Sequence, residues 1–460
     1  MLWVLGIVVG VVALVLVVPI TRRMVVLTWV FVRRLTPVIG RKLRLVGKDY
    51  TTARAVRLAF EDLGPAYIKF GQMIASSPTA FSKATTEEFA RCLDNVRPIP
   101  LARVKRILAE ELGERATSAF SELSDSALAS ASIAQVHAGK LQDGTPIVVK
   151  VQRPGIRGRI EQDLALMGLW ARTATLFSKV LRRANLRGIV QDFRRTIREE
   201  LNFLEEADNI ESFNALLARE ELLPLACAPR VHRELTTPRV LTMERFFGVR
   251  IDDKAGVDAR VSDTVQLLRS TSEVFWSSVF LGGFFHGDIH AGNIMVLDDG
   301  RLGYLDFGIF GRFSDDHRAA LANWIGAMVS GDGEQMARAI KAMGAVGEAI
   351  DWAAYVKDVT EVFLPLRALT VDKPEMLEEF FPKVIAMSAR HDLQLPSQFV
   401  LILKQLTYFG RYVMMHAPHY NENLDPQSQQ TFVKIFMKFN AWRQQTGAGE
   451  VHIRPSQGAA

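Results

Sequence analysis

The chain has 460 residues, 48% of them hydrophobic and 23% charged, with a net charge of +6. That length supplies apolar material for two or three packed layers and at least two domains, and the basic balance favours anionic partners. The only two cysteines, Cys92 and Cys227, argue against a disulfide scaffold and fit a reducing compartment.

Residues 2–20 carry no charge and are rich in Val, Leu and Ile, about the length that crosses a bilayer. No Lys or Arg precedes them, unlike the positive start of a cleaved signal peptide. Arg22, Arg23, Arg33 and Arg34 follow, then Arg41, Lys42, Arg44 and Lys48. The positive-inside rule predicts a single-pass anchor over 1–23 in the cell membrane, with the rest of the chain in the cytoplasm. Residues 24–32 are apolar too, but short. The basic segment 24–50 is either a solvated linker or a contact for anionic lipid headgroups, and its place beside a membrane favours the second.

Residues 51–113 carry helical patterns. Ala55, Leu58, Ala59 and Leu63 recur at helical spacing before a break at Gly64-Pro65. Lys69 and Gln72 then share one helical face, and Gly71 between them permits close approach of another element. Taken alone, this is an ordinary amphipathic helix. Pro98 and Pro100 end the region, and 101–112 reads as one more helix.

A hairpin follows. Residues 135–141 and 146–151 flank Asp143-Gly144, and with those two as the turn Lys150 faces His137. Val148, Lys150 and Gln152 share one side of the strand, Ile147, Val149 and Val151 the other. Lys150 is either an edge solubiliser or a strand lysine that holds phosphates. The preceding run, Ala127 and Leu128 followed by Ala129, Ser130, Ala131, Ser132, Ile133 and Ala134, contains no glycine. Alanine keeps a loop small but gives up positive φ, so such a loop is stiffer than a glycine-rich one.

Residues 161–181 and 188–214 read as helices, the second with an apolar stripe of Val190, Phe193, Ile197, Leu201 and Leu204. Arg182, Arg183, Arg187, Arg194, Arg195 and Arg198 crowd its start, as a solvated face or a phospholipid patch. Helical counting puts Glu206 opposite the stripe, with Glu200 at its border. Strands are expected over 231–235 and 239–243, then a connecting segment from Glu244 to Gly248, then a helix over 265–280.

The most informative stretch runs from His286 to Gly308, HGDIHAGNIMVLDDGRLGYLDFG. Residues 294–297 and 302–305 are mostly apolar around Asp299-Gly300, which predicts a tight hairpin in which Asn293 and Asp306 face each other. Two oxygen ligands at that spacing suit Mg²⁺, which keeps waters and takes few protein groups beside phosphate oxygens. Asp288 lies on the preceding loop, where a carboxylate could orient a nucleophile. His286 and His290 also suggest a zinc pair, but no regular helix carries them. Helices are expected over 315–330, 333–343, 353–364, 396–416 and 429–445, and a tail follows.

These motifs together resemble the UbiB (ABC1/ADCK, AarF-type) family of atypical protein-kinase-like proteins, over about residues 50–420. Lys69, Gly71 and Gln72 match its KxGQ signature. The alanine-rich loop, the Lys150 strand, HGDIHAGN and Asp306-Phe307-Gly308 match in the same order. The resemblance implies an α+β, two-lobed protein-kinase-like fold with an N-terminal helical extension and, here, an N-terminal transmembrane helix. The expected parts are the anchor 1–23, the basic segment 24–50, the extension 51–115, an N-lobe 116–247, a C-lobe 248–445 and a tail 446–460.

It also implies ATP or ADP and Mg²⁺, with Ala129 to Ala134, Lys150, Glu206 and Glu244 at the nucleotide, Asn293 and Asp306 at the metal, and Asp288 and Lys150 as catalytic groups. Lys69, Gly71, Gln72, Glu200 and Asn202 would form the regulatory KxGQ/ExD network, in which Asn202 replaces the family's Asp, and Glu206 would pair with Lys150. The implied role is an ATPase or unorthodox kinase supporting the synthesis or distribution of isoprenoid lipids such as ubiquinone. Partners would be anionic lipids, an isoprenoid or quinone precursor and quinone-biosynthesis enzymes, with no nucleic acid. A small-molecule or lipid kinase, and a nucleotide-binding module without chemistry, are the alternatives. A classical protein kinase ranks last, because the glycine-rich loop and an APE-like triplet are both missing.

Overall fold

The computed structural model describes residues 19–42, 50–75, 82–92, 98–178, 186–346, 350–365, 380, 383–384, 386–388, 390–391, 393, 397–422 and 424–446. The chain divides into two compact units: Met1–Glu205 with His232–Arg245, and Glu206–Val231 with Phe246–Ala460. The chain crosses between them three times, the last time after Arg245. Residues 206–231 fall in the second unit.

The first unit holds an antiparallel sheet in the order β1 (Phe120–Ser130), β2 (Ala134–Leu141), β3 (Pro146–Gln152) and β5 (Val240–Glu244). Alternation along β3 buries Ile147, Val149 and Val151 completely, and the helix Leu101–Leu112 covers them with Val104, Ile107 and Leu108. The helices Thr52–Leu63, Pro65–Ala75, Ile156–Phe177 and Leu186–Glu200 share a second core, which includes Phe60, Tyr67, Phe70, Ile160, Leu164 and Phe193. Gly64, at φ 95, makes the expected break between the first two of these helices.

Three expectations need correction. Neither hairpin closes on a two-residue turn. Leu141 N–H donates to Thr145 O (2.9 Å) and Leu297 N–H to Arg301 O (2.9 Å), so each loop has three residues and ends in a glycine at φ 85. That is a type of closure in which the glycine takes the left-handed position and the register slips by one. Lys150 therefore pairs with Val136 rather than His137, and Ile294 with Tyr304. Second, the helix expected over 188–214 breaks at Leu201-Asn202 into Leu186–Glu200 and Phe203–Arg219. Third, the strand expected over 231–235 is largely a 3-10 turn, Arg233–Leu235, held by Thr242 Oγ1 donating to Leu235 O (2.8 Å).

Residues 24–42 of the expected basic juxtamembrane segment are part of a helix, Pro19–Lys42, packed on its neighbours through Leu27, Val30 and Phe31. Arg23 makes a buried two-bond pair with Asp163 (2.6 and 2.9 Å), and Arg34 a pair with Asp62. Most of the expected membrane span, residues 1–18, lies outside the described residues, as do Arg44, Lys48, Arg182, Arg183 and nearly all of the tail from 446. Among the described residues no helix is long and apolar enough to cross a membrane. Residues 19–23, the last part of the expected anchor, belong to the packed helix.

The second unit has a sheet in the order β4 (Ala226–Cys227), β9 (Leu302–Tyr304), β8 (Ile294–Leu297) and β6 (Gly248–Arg250), with β4 parallel to β9. A separate pair joins β7 (Phe284–His286) to β10 (Phe310–Arg312). The helix Thr264–Ser277 runs through a π-helical turn, Ser278–Gly282, into β7. Four helices lie close to their expected spans: Asp315–Ser330, Gly333–Ala342, Trp352–Phe363 and Ser397–His416. Pro426–Thr446 follows, and Phe280, Trp324, Tyr355, Phe363, Phe399 and Phe439 lie in the core these helices share.

Candidate active site

The loop between β7 and β8 is fixed residue by residue. His286 is buried, its Nε2 bonding Leu305 O (2.7 Å) while its Nδ1 accepts Asp288 N–H (3.2 Å). Burial pushes its pKa down, so the ring is a neutral strut. With both nitrogens engaged, His286 is unavailable to zinc. Among the described residues no group of three or more His, Cys, Asp or Glu is placed to hold a metal ion.

Gly287 N–H donates to Ile309 O (2.9 Å), and a Cβ here would lie 2.7 Å from Ile309 Cγ2 and 2.8 Å from Leu401 Cδ2. A Cβ at this approach would force one of these side chains to shift. Asp288 is half-buried, with Lys404 Nζ 2.8 Å from Oδ1 and His290 Nε2 3.7 Å from Oδ2. Asn293 Nδ2 donates to Asp288 O (2.9 Å), which leaves its Oδ1 as the group available to a cation.

Register places Asn293 opposite Leu305, whose N–H donates to Asn293 O (2.8 Å), so Asp306 sits one residue beyond the expected pairing. Asp306 has φ 52, a left-handed conformation that Asp tolerates better than bulky residues, and its exposed carboxylate accepts Gly308 N–H (3.3 Å). Phe307 anchors this turn from a fully buried position against His286, Phe213 and Phe310, and Asn209 Nδ2 donates to its carbonyl (3.1 Å). Asn293 and Asp306 together offer two protein oxygens, a donor set that fits Mg²⁺ completed by phosphate and water.

In the first unit, Lys150 Nζ lies 5.3 Å from the centre of the Phe203 ring. The alanine-rich run is not an open loop. β1 continues to Ser130, Ala131 N–H donates to Ala134 O (2.9 Å), and Ser132-Ile133 make the connection. Ile133 is buried in the helical core, and Arg153 braces the turn through Ala131 O (2.8 Å) and Ser130 Oγ (2.7 Å). Glu244 is exposed at the end of β5.

Lys69 Nζ pairs with Glu200 at 3.2 Å, which brings the two expected motifs together. Gly71 has its predicted use: a Cβ there would lie 3.0 Å from the Phe89 ring and 3.2 Å from Cys92 Sγ. Gln72 is half-buried on the same helix. Asn202 turns away to cap the next helix, its Oδ1 accepting Leu204 N–H (3.3 Å) and its Nδ2 bonding Glu205 (2.9 Å). The break at Asn202 also removes the conflict over Glu206, since helical counting does not run through it. Glu206 is buried on Phe203–Arg219 and falls in the second unit.

Residues 91–340 match the model of the ABC1 atypical kinase-like domain. The chain belongs to the ABC1 atypical kinase-like family. An uncharacterized protein of Mycobacterium tuberculosis is 36% identical over 411 residues, covering 89% of this chain and 84% of that one. An uncharacterized chloroplastic aarF domain-containing protein kinase of Arabidopsis thaliana is 36% identical over 389 residues, 80% of this chain and 72% of that one. A probable protein kinase UbiB of Azotobacter vinelandii is 33% identical over 358 residues, 76% and 65% respectively. Among solved structures, a Mycobacterium tuberculosis protein in complex with erythromycin shares the fold, with a TM-score of 0.54 and 22% identity over 78% of this chain and 86% of that one.

Sequence reasoning found the ABC1 motifs but missed Lys404, Gln405 and Tyr412, which contact Asp288 and Ile289 from 116 or more residues away.

Proposed function

We propose that this ABC1-family protein is a Mg²⁺- and ATP-dependent phosphoryl-transfer enzyme, an ATPase or atypical kinase, that works at a membrane surface on behalf of isoprenoid quinone lipids. The observation that carries the chemical part is the catalytic loop, where a half-buried Asp288 is held by Lys404 and tied through its carbonyl to Asn293. Asn293 and Asp306 would hold Mg²⁺, which would supply charge neutralisation at the phosphates. Lys150 would hold the α and β phosphates. Asp288 would orient a water or an acceptor hydroxyl and receive its proton as the new O–P bond forms and the bond to the ADP oxygen breaks.

The membrane part rests on the uncharged run at 2–20 and on the outer face of the helix Pro19–Lys42. Met24, Val25, Trp29 and Val32 are exposed there, with the Arg33 guanidinium 5.2 Å from the Trp29 ring. An apolar strip edged by arginine suits the boundary between acyl chains and anionic headgroups. The quinone assignment comes from the family resemblance and the names of the UbiB relatives.

Phosphate release from ATP by the full-length protein, with and without anionic liposomes, tests this reading beside Asp288→Asn and Asp306→Asn. Turnover that rises with liposomes and falls by about 100-fold or more in both variants is expected. Turnover retained by both variants would reject the assigned roles.

A further inference from the structure

The catalytic loop is held from one side by a single distant helix. Ser397–His416 contributes Gln405, only 1% exposed, whose Oε1 accepts Ile289 N–H (2.9 Å) and whose Nε2 donates to Gly287 O (2.7 Å). Tyr412 OH donates to Ile289 O (2.6 Å). The backbone on both sides of Asp288 is thus pinned to this helix, and Lys404, one residue before Gln405, reaches the Asp288 carboxylate itself. Lys404 is not a wandering surface lysine: its side chain is 22% exposed and its Nζ sits 5.7 Å from the Tyr408 ring.

The segment from His286 to Asn293 contains no Lys or Arg. A carboxylate that must work beside a triphosphate therefore has its cation supplied from elsewhere. Engaging Oδ1 fixes the carboxylate plane and turns Oδ2, with His290 Nε2 3.7 Å away, toward the nucleophile.

We infer that Lys404 is a positioning residue for phosphoryl transfer, acting through Asp288, and that the helix Ser397–His416 is the clamp that sets the catalytic loop. This rests on the enzymatic reading above. A small displacement of a reacting group costs about 100-fold in rate, while leaving ground-state binding largely intact.

The test uses full-length protein carrying Lys404→Met or Lys404→Arg, with kcat and KM measured for ATP and the affinity for MgADP measured separately. Lys404→Met is expected to lower kcat about 100-fold with KM and MgADP affinity changed less than about threefold, and Lys404→Arg to recover much of that rate. Should the Met variant lose its cooperative melt, Lys404→Gln replaces it. A variant with the wild-type kcat, or one whose MgADP affinity falls in parallel with kcat, overturns the inference. So does equal loss in the Arg variant. A wild type that binds MgADP but never turns ATP over overturns the enzymatic reading and this inference with it, whereas an active wild type with an unimpaired Lys404→Met overturns this inference alone.

Discussion

Gly287 shows how much a single missing Cβ can decide. The sequence shows it only as the glycine before Asp288; the structure gives its use, since Ile309 and Leu401 close over it within 2.8 Å of where a Cβ would stand. Gly287→Ala is expected to destabilise the protein by about 1–3 kcal/mol through overpacking, and to cut turnover by more than its melting shift explains, because Asp288 is the next residue. An alanine variant with unchanged melting temperature and kcat would show that the loop yields freely. Asn202 is a second case. It stands where the resemblance sets an Asp, and its side chain caps a helix, while Glu200 reaches Lys69. Residue identity was plain from the sequence in both places; the neighbour that gives it meaning was not.

The helix Pro19–Lys42 is held to Ile156–Phe177 by the Arg23 pair with Asp163, whose side chains are 10% and 1% exposed. Burial pushes the Asp163 carboxyl up and Arg23 opposes that shift. Removing one partner of such a pair strands a charge, so Arg23→Met should cost about 3–5 kcal/mol at pH 7.5, and adding Asp163→Asn should recover much of it. A raised folded pKa means that the fold binds the Asp163 proton more readily than the unfolded chain does. The cost of ionising it is therefore present at neutral pH and relieved as pH falls through the folded value. The Arg23→Met deficit should shrink on acidification, as followed by urea midpoints; a pH-independent deficit would count against a stranded carboxylate. At this scale the sequence was legible wherever periodicity and turn residues act locally, as in the helices after Asp306 and the alternation along β3. It failed where a local signal has two solutions. Asp-Gly suits two-residue and three-residue loops alike, and both hairpins took the second. An apolar stripe through Leu201 and Leu204 hid a helix break, because both residues remain apolar on either side of it. Lys404 was invisible for another reason: its partner is 116 residues away.

At the scale of the molecule, the extension expected over 51–115 and the sheet expected in an N-lobe are one body. Their join is apolar and made twice. Leu101–Leu112 lays Val104, Ile107 and Leu108 on Ile147, Val149 and Val151 of β3, and Ile133, from the turn before β2, enters the core that Phe60, Tyr67 and Phe70 build. Polar ties run the same way, with Ile99 N–H donating to Gln135 Oε1 (2.9 Å) and Thr237 Oγ1 to Glu111 (2.6 Å). Elements that share one close-packed core open together, whereas a docked accessory domain opens alone. Ile107, 2% exposed, separates the two cases. Ile107→Ala should cost about 2–5 kcal/mol, and hydrogen exchange should report the loss in peptides from 101–112 and from the Lys150 strand by the same amount. Faster exchange confined to 101–112, with β3 as protected as before, would mean that the extension folds as a separate layer. Matched loss would mean that any ligand or lipid that stabilises these helices also stabilises the strand carrying Lys150, a coupling that follows from shared packing.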